Sequence, residues 1–83
     1  MKLLYFAWLK SKTGVAEEEV APPPEVTDVA KLLAWLKGRG PGYAAALADL
    51  SAVRVAVNQD YARPTDKVAP GDEVALFPPV TGG

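Results

Sequence analysis

Val29, Leu32, Leu33 and Leu36 recur at i, i+3, i+4 and i+7 inside TDVAKLLAWLKGRG. That spacing lines four aliphatic side chains along one face of a helix, and such a face must be covered, here by a sheet. Thr27 is read as the N-cap, Asp28 suits the positive start of the helix, and Lys37 with Gly38 marks its end. Trp35 sits on the flank of the stripe, where packing is the expected role. A second, weaker helical pattern joins Tyr43, Leu47 and Leu50 in PGYAAALADL.

The remaining segments read as strands. KLLYFAWL carries no breaker, and alternation puts Leu3, Tyr5, Ala7 and Leu9 on one face, with Leu4, Phe6 and Trp8 on the other. Both faces are apolar, so the one that the helix leaves bare is either covered by loops or offered to a partner. SKTGVAEEEVAPPP turns at Gly14 and returns as an edge strand, its Glu17, Glu18 and Glu19 solvated and its prolines unable to extend a ladder. VRVAV leads into a turn at Asn58, Gln59 and Asp60. A short strand over Tyr61 to Arg63 follows and Pro64 ends it. Pro70 and Gly71 form a further turn before the last strand, EVALF. Strand, edge strand, helix and three more strands make an α+β domain. At 83 residues the chain has room for one core. The folded part is read as 1–77 and the tail as 78–83.

In EVALF, Val74 and Leu76 point to the helix while Ala75 and Phe77 point away. Phe6 and Tyr61 belong with Phe77 on that far face. Pro78 and Pro79 fix φ and aim the chain off the sheet. Beyond them, Val80, Thr81, Gly82 and Gly83 can reach about 13–14 Å. Glycines let another protein approach the backbone closely, so the terminal carboxylate of Gly83 is read as the functional group. The chain has no cysteine and no histidine, which removes thiolates, imidazole bases and the commonest metal ligands. Its net charge of −1 offers no reason to bind nucleic acid or an anionic membrane. LLYFAWL is far short of the roughly 20 residues that span a bilayer. A cytoplasmic protein with no metal and no bound cofactor is expected.

GDEVALFPPVTGG closely resembles the C-terminal signature of the small subunits of molybdopterin synthase, which are ubiquitin-like sulfur carriers. VAVNQDY is similar to that family's Val-Asn hairpin. KLLYFAWLKSKTG is similar to its first strand and turn, although Lys10-Ser11 stands where many members have Arg-Glu. The resemblance implies a β-grasp fold, with a mixed sheet of about five strands on one main helix plus a short second helix. It also implies that an ATP-using adenylyltransferase activates Gly83, that a sulfur donor displaces AMP, and that the thiocarboxylate serves the large synthase subunit in a heterotetramer. By the same resemblance Gly82, Thr81, Val80, Pro79 and Pro78 thread the tail, and Phe6, Tyr61 and Phe77 contact partners. Three alternatives stay open at this point: a carrier for thiamine synthesis or tRNA thiolation, a ubiquitin-like protein modifier, or a binding module with an incidental glycine tail.

Overall fold

The computed structural model describes residues 1–79. Its strands are β1 (Lys2–Tyr5), β2 (Glu17–Glu19), β3 (Arg54–Val57), β4 (Asp60–Ala62) and β5 (Glu73–Phe77). They form one mixed sheet in the order β2-β1-β5-β3-β4. β1 and β5 are parallel, with Leu3 beside Val74 and Tyr5 beside Leu76. The other pairings are antiparallel. A parallel pair cannot be joined by a tight turn. The crossover between β1 and β5 carries the rest of the chain, including helix α2 (Val29–Lys37).

The α2 stripe behaves as its spacing requires. Val29, Leu32, Leu33 and Leu36 are all buried, against Leu3, Tyr5, Val55, Val74 and Leu76 in one core cluster. A sheet wrapped around one helix with this strand order is the β-grasp arrangement. Asp28, not Thr27, caps α2: its Oδ1 accepts a hydrogen bond from the Lys31 N–H at 2.8 Å. Thr27 is held further out, where its carbonyl accepts from the Val68 N–H at 3.1 Å.

The first strand is shorter than its apolar run. It ends at Tyr5, the chain bends at Ala7 (φ 55°, ψ −132°), and helix α1 (Trp8–Thr13) takes over. Alternation therefore does not explain Leu9, which is buried as the inward residue of α1. A six-residue helix is too short to display a period, and tertiary contact holds it in place. Gly14, at φ 85°, ends it in the left-handed region. Helix α3 (Pro41–Ala46) packs so closely on α1 that a Cβ on Gly42 would overlap the Lys12 carbonyl oxygen.

The second helical pattern is only partly realised. Tyr43 packs against the core and Leu47 is buried, but α3 stops at Ala46 and Leu50 lies 50% exposed in a separate 3₁₀ turn, Leu50–Ala52. The Asp49 side chain caps that turn and diverts the chain from helical continuation.

The β3–β4 hairpin closes through Asn58 (φ 52°) and Gln59 (φ 72°), both in the left-handed region that a two-residue hairpin loop demands. Asn58 has a further task. Its Oδ1 accepts from the Glu73 N–H at 3.0 Å and its Nδ2 donates to Asp72 Oδ1 at 3.2 Å. The hairpin is thereby fastened to the start of β5.

Candidate functional site

The face of the sheet away from α2 is built by the strand register. Val74 and Leu76 are fully buried inward, so Ala75 and Phe77 point outward. Leu4 pairs with Ala75, Ala75 with Ala56, and Ala56 with Tyr61, giving an outward row across four strands. One step towards the end of β5, Phe77 pairs with Arg54. The Phe6 N–H donates to the Leu76 carbonyl at 3.1 Å, which holds Phe6 at that same end.

Phe6 is 48% exposed and Tyr61 76% exposed. The Tyr61 and Phe77 rings lie 5.8 Å apart at 55°. Large apolar groups in this position gain about 1.5–3 kcal/mol each when a partner covers them. Pro78 and Pro79 follow Phe77 without joining any strand. The structure thus places Phe6, Tyr61 and Phe77 on the outer face and brings Tyr61 and Phe77 into contact. The tail residues Val80, Thr81, Gly82 and Gly83 lie outside the described residues. Leu4 joins this face, as alternation in KLLY predicts, and so does Arg54, which alternation in VRVAV signals but the sequence reading did not single out.

A second polar cluster sits behind the β2 edge. Glu17 and Glu19 are solvated as expected, but Glu18 turns inward. Its Oε2 accepts hydrogen bonds from Tyr5 (2.7 Å), Tyr43 (2.8 Å) and Arg39 (2.9 Å). The Arg39 guanidinium also lies 5.2 Å from the Trp35 ring centroid and 4.9 Å from that of Tyr43. Burial alone would raise the Glu18 carboxyl, but these hydrogen bonds and the Arg39 charge outweigh it and hold it below its ordinary 4.5. Burial first, and then Glu18, push the Tyr5 phenol well above its ordinary 10.0. Each donor has its acceptor, so the cluster pins α2, α3 and the sheet edge together and leaves no group poised to react.

The pH dependence follows in sign. A carboxyl lowered in the fold contributes stability above its unfolded value and loses it as pH falls through the folded one. A phenol raised in the fold loses its contribution as pH rises past 10.0. Urea unfolding across pH should therefore show stability falling below about 4.5 and again above about 10. Glu18→Gln should flatten the acid limb and cost about 1–3 kcal/mol at neutral pH. An unchanged acid limb would remove Glu18 from the balance.

Among the described residues, no group of three or more His, Cys, Asp or Glu is arranged to hold a metal ion. No helix among them is long and apolar enough to cross a membrane. The pattern of the ThiS family matches residues 3–83, all but the first two of the chain. The chain belongs to the ThiS family.

Relatives of this ThiS-family chain span its whole length. The molybdopterin synthase sulfur carrier subunit of Homo sapiens is 36% identical over 87 residues, covering 100% of this chain and 93% of the human protein. A putative molybdopterin converting factor subunit 1 from Pyrococcus furiosus superposes with a TM-score of 0.77 at 32% identity, over 95% of each chain. The small archaeal modifier protein 1 of Haloferax volcanii superposes at 0.74 with 29% identity, over 96% of this chain and 97% of that one. These likenesses bear out the β-grasp fold. The ThiS-family match also runs through Gly83, so it takes in the FPPVTGG segment as well as the folded part.

Proposed function

We propose that this ThiS-family protein is the sulfur-carrying small subunit of a molybdopterin synthase and that the Gly83 carboxylate is its reacting group. The observation that carries the reading is the 36% identity to the human carrier subunit over the entire chain. The chemistry fits what the folded part lacks. A chain without cysteine or histidine has few side chains suited to nucleophilic or proton-shuttling work, whereas a terminal carboxylate needs only activation by a partner.

In this reading the Gly83 carboxylate attacks the α-phosphorus of ATP on an adenylating enzyme, and pyrophosphate leaves. Hydrosulfide delivered by a donor then attacks the acyl carbon and AMP leaves, so sulfur replaces one carboxylate oxygen. The loaded tail enters the large synthase subunit, where the thiocarboxylate sulfur bonds to a carbon of the cyclic pyranopterin precursor as a carbon–oxygen bond at that carbon breaks, leaving a thioester to Gly83. Water then releases Gly83 as carboxylate. Pro78 and Pro79 aim the tail, Val80 and Thr81 line its path, and Gly82 leaves clearance for threading. Phe6, Tyr61 and Phe77 form the apolar contact with partners. The protein binds no cofactor of its own, ATP being spent by the activating enzyme, and the cycle runs in the cytoplasm as part of a heterotetramer.

The direct test is the intact mass of the protein after incubation with ATP, the adenylating enzyme and a sulfur donor. A rise equal to exchanging one oxygen for sulfur, located in the C-terminal peptide, is expected. No change with a verified active enzyme would remove the carrier reading. The likeness to small archaeal modifier protein 1 favours a second reading, in which activated Gly83 is joined to lysines of target proteins. Covalent adducts of Gly83 on other proteins, without sulfur transfer, would select it.

Phe77→Ala tests the outer face separately. Buried aromatic anchors typically contribute 2 kcal/mol or more to an interface, so affinity for the large subunit should fall at least about 30-fold. Loss of the Tyr61 contact should cost the fold only about 0.5–1.5 kcal/mol. Equal affinity of variant and parent, measured by calorimetry, would take this face out of the interface.

A further inference from the structure

Among the described residues Leu50 is the most exposed of the large aliphatic side chains, half of it open to solvent. The Asp49 cap holds it there: Asp49 Oδ1 accepts from the Ser51 N–H at 3.1 Å and the Asp49 carbonyl accepts from the Ala52 N–H at 3.0 Å. Beside it a groove runs between α2 and the β3–β4 hairpin. Its floor is Val29, Leu33, Val53 and Val55, all buried, and its rim carries Leu50, Arg54 and Arg63. The cavity measures about 310 Å³. That is the small end of the roughly 300–1,000 Å³ usual for ligand pockets, room for one or two aliphatic side chains and not for a cofactor.

The charged residues that line the groove have one sign. Its lining includes two arginines and no acidic residue. Arg54 donates to the carbonyls of Ser51 at 3.0 Å and Val53 at 3.3 Å, which positions the guanidinium without neutralising it. Arg63 is 84% exposed and meets Asp66 only at 3.7 Å, a pairing worth little in water. Val55 faces the helix side while its neighbour Ala56 and the paired Tyr61 face outward. The groove floor therefore lies on the helix side of the sheet, and its rim meets the outer face at Arg54, which pairs with Phe77.

We propose that this groove docks an acidic segment of a partner protein, with one or two aliphatic side chains against Leu50 and the floor and carboxylates at Arg54 and Arg63. This stands independently of the sulfur-carrier reading. The test is a ¹⁵N NMR titration of the full chain with a capped hexapeptide of two leucines flanked by aspartates. Saturable shifts are expected at the amides of Leu50, Val53, Ala62 and Arg63, weakening as salt rises. Leu50→Asp, a change at an exposed position that leaves the fold intact, should reduce affinity about tenfold or more. A peptide with lysines in place of the aspartates should not bind. The proposal is overturned by absence of saturable shifts at millimolar peptide, by equal binding of the lysine peptide or of Leu50→Asp, or by shifts centred on Phe6 and Phe77.

Discussion

Appending one alanine after Gly83 is expected to abolish thiocarboxylate formation completely while leaving the melting temperature unchanged. The acyl group that must be activated is the terminal one. An added residue converts the Gly83 carboxylate into an amide, which ATP does not activate, and moves the new carboxylate one residue further from the fold, about 3.3–3.6 Å. Mass spectrometry after the loading reaction reads the first effect, and thermal unfolding followed by circular dichroism reads the second. Loading of the extended chain at the parental rate would show that the position of the terminus is not critical. Gly82→Leu is a companion test. A branched side chain removes clearance in any channel that receives the tail, so sulfur transfer should be lost, again without loss of thermal stability. A large stability loss in either variant would mean that the tail is part of the core.

Leu36→Ala is the substitution expected to damage the fold most. Leu36 is fully buried beneath α2, and removing such a side chain costs about 2–5 kcal/mol through lost transfer energy and the cavity left behind. Domains of this kind have only about 5–15 kcal/mol in total, so the loss is a large fraction. In a domain this small, each kcal/mol shifts the melting temperature by about 4–8 °C, so a drop of about 8–40 °C is expected. A drop under about 4 °C would mean that the α2 stripe does not form the shared core. Leu50→Ala, by contrast, should change stability little, because Leu50 is half exposed outside that core.

The contrast between Leu36 and Leu50 shows where sequence reading holds. The stripe from Val29 to Leu36 has a period, and a period determines which side chains share a face wherever the helix is placed. The alternation in EVALF likewise determined that Val74 and Leu76 go inward and that Phe77 goes outward. The Asn58-Gln59 turn and the proline lead-in of the tail were legible from local chemistry. So was the outward placing of Tyr61, which follows from the register, and the exposure of Phe6 just beyond β1.

Only the tertiary structure decided the rest, because it depended on contacts between distant segments. The run KLLYFAWL bends at Ala7 into α1, whose place is set by α3 lying against the Lys12 carbonyl, a neighbour that the local sequence does not contain. Glu18 reads as one of three solvated acids until Tyr5 of β1, Tyr43 of α3 and Arg39 of the turn between α2 and α3 converge on its carboxylate. Leu50 matches a helical stripe, yet the helix stops at Ala46 and the separate turn that Asp49 caps leaves it half exposed beside Arg54 and Arg63. Local periodicity tells a side chain which way to face, whereas what it meets there depends on how strands and helices far apart in the chain are brought together.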